Sequence, residues 1–323
     1  MTSMEIYKKT FKFIWMRALI GVVETLVILG LPIVAFFITK DMETTVTLIT
    51  SGSALVIAIV AVALFSHYVG YLYRAGQIAM VARGVSRGEL PSDPFEEGKN
   101  AVKKRFLAVS VFFVIEKIIN HIVSQITNAV NKAANKIGGN NDTAKTVGAV
   151  ISLFISAMLK YMCACCMGWV FEHPEQNAWR GACDGAIVYF KNWKDLLKNT
   201  AKVVAMSLVS LIVVGGVLFG LSYLIIGSMS FIGPFSEAIV EFMAEMEMDV
   251  SLTAAQWALV FEGLVALVVW GVLHASFIDP YIMISVMGRY MKAGLSNPPT
   301  RDYDSKLAGM SKGFKKAMEN AEA

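Results

Sequence analysis

An apolar stretch over residues 201–230 constrains this chain more than any other feature. Between Lys202 and Glu237 the sequence contains no charged residue. About 20 apolar residues in a helix cross the hydrocarbon core of a bilayer, whereas a helix that packs in a soluble protein keeps a polar face. Residues 201–230 have no such face. The stretch therefore predicts a membrane-spanning helix, and the other apolar segments have to be interpreted beside it.

Six apolar segments are long enough to cross a membrane. Hydrophobic residues make up 56% of the chain and charged residues 17%, which differs clearly from an average soluble protein. Transmembrane strands are not expected, because two-residue alternation is absent and the segments are too long. In lipid, helices satisfy their own backbone hydrogen bonds. We therefore predict an all-α polytopic fold, a single membrane domain over 1–323, with spans at about 14–38, 46–73, 106–126, 147–171, 201–230 and 256–286.

The basic residues predict the orientation of the spans. Four segments contain 23 of the 29 Lys and Arg residues: the tail up to Arg17, residues 74–105, residues 172–202 and the C-terminal segment from Arg289. Such segments face the cytoplasm by the positive-inside rule, so a multi-pass protein of the cell membrane with both termini cytoplasmic is predicted. The chain then forms three helical hairpins, each followed by a basic amphipathic helix, and residues 303–323 form the last of these helices. Their Lys and Arg side chains are expected at anionic lipid headgroups.

An acidic amphipathic helix is predicted over residues 236–250, in a connection on the outer side. It combines an apolar stripe with four glutamates, Glu237, Glu241, Glu245 and Glu247. One interpretation is an acidic mouth that concentrates cations. The other is a solvated helix face that rests on the bilayer.

Ionisable residues inside the predicted spans are candidates for function. A charged group at the centre of a span costs roughly 2.5–3.5 kcal/mol on insertion scales, so such residues mark functional sites by default. The structural alternative is that Glu24 or Glu116 neutralises Lys117 or Lys160. The residues in question are Glu24, Glu116, Lys117, Lys160, Glu262, His274 and Asp279.

Asp279 and Pro280 stand out in the sixth span. Proline removes a backbone donor and frees a carbonyl one turn back, and an acid at a helix break is a common cation site. Aromatic residues share one helix face there, and aromatic faces attract quaternary ammonium ions. The alternative is a packed aromatic stripe. The candidate substrate-binding residues are Asp279, Tyr281, Phe277, His274, Trp270 and Glu262.

Other chemistry is not indicated. The chain lacks a phosphate-binding loop, a zinc-protease motif, a nucleophile elbow and a dinucleotide fingerprint, so we expect no enzyme and no cofactor. Cys163, Cys165 and Cys166 do not have the spacing of a standard zinc site; packing or palmitoylation explains them better than a metal. The basic segments lack the stacking aromatics of a nucleic-acid module.

Three stretches of the chain, taken in order, carry a family resemblance. The first is MCACCMGWVFEHPEQNAWRGACDGAIVYFKNWKDLLKNTAKV, a cysteine-rich span end followed by a basic helix. The second is the glycine-rich span around Gly215, Gly216 and Gly220, and the third is FIDPYIMISVMGRYMKAGLSNPPTRDYDSKL. Together they resemble the C-terminal, six-span half of eukaryotic choline transporter-like proteins, with Asp279, Asn297 and Tyr303 at the matching positions of the third stretch. Residues 74–105, with Gly88, Pro91 and Gly98, also resemble uncharacterised prokaryotic six-span proteins.

The resemblance implies a transporter or permease for a small organic cation of choline type, with Asp279 and the nearby aromatic residues in contact with the cation. The alternative is a membrane scaffold or lipid-interacting protein that transports nothing and acts through its basic interfacial helices. A polar cavity between spans would favour the first function. An apolar bundle in which every acid has a basic partner would favour the second.

Overall fold

A computed structural model describes residues 1–104, 161–192, 196, 205–245, 252–310 and 312–322, and this part of the chain contains helices and no strands. The prediction of an all-α fold is confirmed for these residues. The helices are α1 (Ser3–Lys9), α2 (Phe11–Thr39), α3 (Thr44–Phe65), α4 (Tyr71–Ser86), α5 (Pro94–Lys104), α6 (Ala178–Lys191), α7 (Gly216–Ile226), α8 (Ile232–Glu245), α9 (Ala254–Leu273), α10 (Asp279–Ser296), α11 (Asp302–Met310) and α12 (Lys312–Glu322). Residues 161–172 and 205–210 are also helical.

Four of the described helices are long and apolar enough to cross a membrane: Phe11–Thr39, Thr44–Phe65, Ala205–Ile226 and Ala254–Ser296. In each helix only 11% of the most apolar 18-residue stretch is buried. Large aliphatic and aromatic side chains therefore cover the outer surface of these helices. A soluble monomer rarely exposes contiguous apolar surface of this extent. These helices coincide with the first, second, fifth and sixth predicted spans. The third span (106–126), with Glu116 and Lys117, and the fourth span (147–171) up to Lys160 lie outside the described residues.

The chain divides into two compact units. The span unit comprises Ile14–Tyr71 and Ser207–Asp279, which include the apolar part of each of the four helices. The packed unit comprises Met1–Phe13, Leu72–Met206 and Pro280–Ala323. The prediction of one membrane domain over 1–323 stays a prediction.

Three π-helical turns interrupt the long helices, at Ser66–Gly70, Leu211–Gly215 and His274–Ile278. The last turn lies directly before Pro280, where the sequence suggests a broken helix. In the structure the N–H of Asp279 donates to the carbonyl of His274, five residues back, and the helix continues. A π turn absorbs one additional residue and so accommodates the missing N–H of the proline without a break.

The packed unit is held together by helices that approach each other closely. Residues 75–82 of α4 are all buried, although the sequence predicts that they belong to the basic connection over residues 74–105. A Cβ atom at Gly98 of α5 would lie 2.6 Å from Phe13 Cζ and 2.7 Å from the carbonyl oxygen of Gly76 in α4. Only glycine permits this contact between α4 and α5, since real Cβ atoms do not come that close to other atoms.

The cysteine-rich segment belongs to the same packing. Cys165 and Cys166 are buried and all four cysteines of the chain are free thiols. A Cβ atom at Gly185 of α6 would lie 2.9 Å from Cys166 Cα, so α6 lies directly against residues 161–172. Small side chains are needed at this contact, which favours the packing interpretation of the cysteines.

The C-terminal helices also pack on protein. The apolar side chains of the predicted tail helix, Leu307 and Phe314, are buried, and α12 contacts α6. Lys312, Lys315 and Lys316 remain exposed. The apolar face of this segment is therefore covered by the packed unit itself, while its lysines stay available to an anionic surface.

Gly98→Ala should destabilise the protein, because the new methyl group overlaps the Phe13 ring and the Gly76 backbone. Overpacking of this kind costs about 1–3 kcal/mol. Thermal unfolding of the purified protein in detergent measures the loss. Gly52→Ala in α3 is the matched control, since a Cβ there meets nothing within 4 Å. Equal melting temperatures for the two variants would contradict the close approach of α4 and α5.

Candidate functional site

Glu262 lies in the interior of the span unit, near the middle of α9. Its side chain is 2% exposed. Ser222 of α7 donates a hydrogen bond to the backbone carbonyl of Glu262 at 2.9 Å, and Glu262 Oε1 would lie only 3.0 Å from a Cβ atom at Gly227. Among the residues that the structure describes, Glu262 Oε2 has no hydrogen-bond partner. A buried polar atom without a partner costs about 1–3 kcal/mol, more where the group is charged.

Four further polar contacts join helices within the described part of the span unit. Trp270 Nε1 donates to Ser210 Oγ at 3.2 Å, and His274 Nε2 lies 3.1 Å from Ser207 Oγ. Ser66 Oγ donates to the carboxylate of Glu24 in α2. Arg17 and Asp279 form the fourth contact. Polar side chains within spans are expected to pair with one another across helices in this way.

The π-helical turns coincide with these contacts. Ser66 is the first residue of one π turn and His274 is the first residue of another. Ser210 directly precedes the third. π turns reorient side chains relative to a regular α-helix and occur frequently at functional positions. Here each turn places a polar side chain where it reaches a neighbouring helix.

Asp279, the residue singled out in the sequence, forms an ion pair with Arg17. Arg17 Nη2 lies 3.6 Å from Asp279 Oδ2, and the side chains are 26% and 2% exposed. Gly21, one turn after Arg17 in α2, would place a Cβ 2.5 Å from Val272 Cγ1, so α2 and α9 are in close contact there. The Arg17 guanidinium therefore occupies the position beside Asp279 that a bound cation would need.

The predicted substrate-binding residues do not form one cluster. The rings of Trp270 and His274 are in contact, with centroids 5.0 Å apart, and Phe277 is half-buried in the same helix. Tyr281 belongs to the packed unit, where its ring packs edge-on against Tyr7 at 5.8 Å. Glu262 and Asp279 belong to one continuous helix and are separated by about 25 Å at the rise of an α-helix. A small ligand cannot contact both carboxylates at once.

A cavity of about 470 Å³ lies beside the acidic helix α8, at the end of the span unit that contains the α2–α3 connection. We call it the α8 cavity. It combines three phenylalanine rings with two carboxylates and one lysine, and Thr44 donates a hydrogen bond to Glu241 at 3.2 Å. Its lining residues are Phe36, Phe37, Lys40, Met42, Thr44, Thr47, Ser230, Phe231, Pro234, Glu237, Ala238 and Glu241. Sequence reasoning identified the glutamates but not the phenylalanines, which come from two distant segments.

The packed unit contains a charged network around Arg180 of α6. Arg180 contacts Asp184 one turn further on and donates to Asp304 of α11 at 3.0 Å. Burial raises the pKa of Asp184 more than the pairing with Arg180 lowers it. Burial acts to lower the pKa of Arg180, but hydrogen bonds to Asp304 and Asp184 raise it on balance. Burial also raises the pKa of the neighbouring Cys183 to about 12, so this thiol stays protonated and is a poor metal ligand or nucleophile.

Arg17→Gln and Asp279→Asn should each destabilise the protein, and the double variant should recover part of the loss. Each single change leaves one charge of the pair without the other in a poorly solvated position. A double-mutant cycle on thermal unfolding should give a coupling energy of about 1–3 kcal/mol. Additive losses, with a coupling energy near zero, would contradict a direct Arg17–Asp279 interaction.

Comparison with known proteins finds no matching family model, no similar curated protein and no similar solved structure. The resemblance to choline transporter-like proteins stays a prediction from the quoted motifs. Among the described residues, the groups that stand out for chemistry are the buried Glu262, the Arg17–Asp279 pair, the α8 cavity and the Arg180 network.

Proposed function

We propose that the chain is a six-span protein of the cell membrane, with both termini in the cytoplasm, that moves a small organic cation of choline type. Four long helices with exposed apolar surfaces support membrane insertion. The concentration of Lys and Arg in four segments supports the orientation. In this orientation the α8 cavity opens on the outer side of the membrane.

The observation that carries this proposal is the burial of Glu262. A carboxylate buried inside a span is costly and is retained where it has a function. Its oxygen Oε2 lacks a hydrogen-bond partner among the described residues, and no cation of the described chain pairs with it. A bound organic cation would supply the missing counter-charge. Glu262 is therefore the cation ligand that we propose.

The α8 cavity supports the choice of an organic cation. Glu237 and Glu241 exceed the charge of Lys40 by one unit, so the cavity attracts a monovalent cation. Its phenylalanine rings suit a cation with apolar substituents, because aromatic faces attract quaternary ammonium groups. The cavity then collects the substrate from the outer side before it reaches Glu262.

Asp279 has a different role in this proposal. Its pairing with Arg17 makes it a poor site for tight cation binding, and the neighbouring Trp270 and His274 are engaged with serines of another helix. We propose that this region controls passage toward the cytoplasm. Arg17 must separate from Asp279 for a cation to pass, and the adjacent π turn offers a place for the helix to adjust.

The alternative function is that of a scaffold or lipid-interacting protein without transport. The Arg17–Asp279 pair and the satisfied Trp270 and His274 favour it, because they match a bundle that neutralises its own polar groups. The exposed lysines of α12 would then contact anionic lipid. Glu262 separates the two functions, since a pure scaffold has no use for a buried acid without a partner.

Glu262→Gln should abolish the binding of choline and tetramethylammonium to the purified protein. A ligand that binds only the folded state raises the melting temperature with concentration, so a thermal shift measures binding. Asp279→Asn should weaken binding less, because Arg17 already neutralises Asp279. Glu24→Gln, which also removes one acid from a span, is the control and should bind normally. If folded wild-type protein shows no shift with any amine, the transport function is wrong and the scaffold is favoured.

Of two reporters fused after Ala323, only the one that works in the cytoplasm should be active. Green fluorescent protein folds in the cytoplasm, whereas alkaline phosphatase needs the oxidising side of the membrane. We expect fluorescence and no phosphatase activity from C-terminal fusions. The same pair fused after Asp41, in the α2–α3 connection, should give the opposite result. Phosphatase activity from the C-terminal fusion would reverse the orientation and place the α8 cavity inside the cell.

A further inference from the structure

A second cavity, of about 400 Å³, lies in the packed unit beside the Arg180 network. We call it the Trp169 cavity. One wall comes from residues 161–172 and α6, and the other from the end of α10 and the loop that follows it. The lining residues are Trp169, His173, Gln176, Arg180, Asp184, Gly294, Leu295, Pro298, Pro299 and Arg301. Lys191 Nζ donates to the carbonyl of Pro298 at 2.7 Å and fixes the proline-rich wall.

Two polar atoms of this lining are buried without a hydrogen-bond partner among the described residues: the donor Trp169 Nε1 and the acceptor Gln176 Oε1. Trp169 is 4% exposed, and its ring is stacked on His173 with centroids 4.2 Å apart. Trp169 therefore cannot rotate freely toward another acceptor. Each unsatisfied atom destabilises the fold, and a ligand with one acceptor and one donor would satisfy both atoms.

Charges of both signs line the cavity. The side chain of Arg301 is 77% exposed and has one long contact, 3.3 Å, to Asp304. The Arg301 guanidinium is therefore available to an anion at the rim. On the inner side Asp184 is 7% exposed and pairs with Arg180. A ligand that fits this arrangement needs an anionic group near Arg301 and Trp169 Nε1, and a cationic donor near Gln176 Oε1.

We propose that the Trp169 cavity binds a phosphoethanolamine group, which combines an anionic phosphate with a protonated primary amine. The phosphate accepts hydrogen bonds from Trp169 Nε1 and Arg301, and the amine donates to Gln176 Oε1. Residues 161–172 form the cytoplasmic end of the fourth span in the proposed orientation, so the cavity lies at the depth of lipid headgroups. The inference rests on that orientation but not on transport.

The amine has to be primary for this binding to work. A quaternary choline headgroup has no N–H and cannot donate to Gln176 Oε1, although it has the same charges. A glycerol headgroup has the phosphate but no ammonium group. The same chemistry is present in a phosphatidylethanolamine headgroup and in free phosphoethanolamine. Comparison of the lipid with the soluble compound distinguishes these two sources.

Native mass spectrometry of the full-length protein, released from detergent that contains one added phospholipid, tests the proposal. We expect phosphatidylethanolamine to be retained at least about tenfold better than phosphatidylcholine or phosphatidylglycerol, the equivalent of one hydrogen bond to a charged group. Free phosphoethanolamine, added in a thermal-shift assay, should raise the melting temperature if the ligand is soluble. No shift, together with retention of the lipid, would identify the headgroup as the source.

Three variants remove one contact each. Trp169→Phe removes the N–H and keeps a ring, Gln176→Met removes the acceptor at similar length, and Arg301→Gln removes a charge on a side chain that is 77% exposed. Each should lower retention of phosphatidylethanolamine about tenfold. Trp179→Phe and Arg289→Gln are the matched controls, since neither residue lines the cavity. Arg301→Gln keeps the test valid if Trp169→Phe fails to fold.

Two results would overturn the inference. One is equal retention of the three phospholipids by the wild-type protein, with no effect of free phosphoethanolamine. The other is unchanged retention in both Gln176→Met and Arg301→Gln. Choline binding by the same Gln176→Met protein separates this inference from the transport function. Normal choline binding with no lipid preference would reject the Trp169 cavity alone, and a lipid preference without choline binding would reject transport alone.

Discussion

The span unit depends on one constraint: the hydrocarbon core of a bilayer offers no water to a polar group. Each polar side chain of a span then needs a partner inside the protein. Thr25 and Thr39 follow this rule within α2 by donating to the carbonyls of Gly21 and Ala35, four residues back. Ser222 follows it between helices by donating to the Glu262 carbonyl. Lipid-facing surfaces are left apolar, as the low burial of the four long helices indicates.

The same constraint explains where the long helices deviate from α geometry. A polar side chain that faces lipid has to be turned toward another helix, and a π turn supplies that rotation without a loss of backbone hydrogen bonds. The π turn at His274–Ile278 lets His274 approach Ser207 and also accommodates Pro280. A proline in the interior of a straight helix would instead cost about 3 kcal/mol.

The sequence predicts the span unit well and the packed unit poorly. Long uncharged segments identify spans because the bilayer acts on each helix separately, and four of the six predicted spans lie on described helices that fit a membrane. The burial of α4 is different. Its Arg74, Gln77 and Arg83 suggest a solvated connection, and only contacts with distant segments, such as Gly76 on Gly98, bury it. Such contacts between distant residues leave no periodic signal in a single sequence.

For the candidate site, too, the sequence predicts the residues within spans but not their contacts with distant segments. Position within a span was enough to single out Glu262 and Asp279 as costly acids. It could not reveal that Arg17, in another span, pairs with Asp279, or that Trp169 and Gln176 line one cavity, because these relations depend on how distant segments meet. The aromatic face around Trp270 was visible from its spacing, but the serines that engage it belong to another helix.

The difference between the two acids decides the chemistry that is proposed here. A cation that binds at Asp279 has to displace Arg17, and so loses the attraction between those two charges before it gains its own. A cation at Glu262 displaces no charge of the described chain and supplies a partner to an oxygen that lacks one. Desolvation of the cation opposes binding at either acid. Of the two, Glu262 is the carboxylate that folding has buried without giving its Oε2 a partner in the described chain, whereas Asp279 is paired with Arg17. On this argument we propose that a cation binds more favourably at Glu262, and that the Arg17–Asp279 pair opens and closes the path rather than holding the substrate.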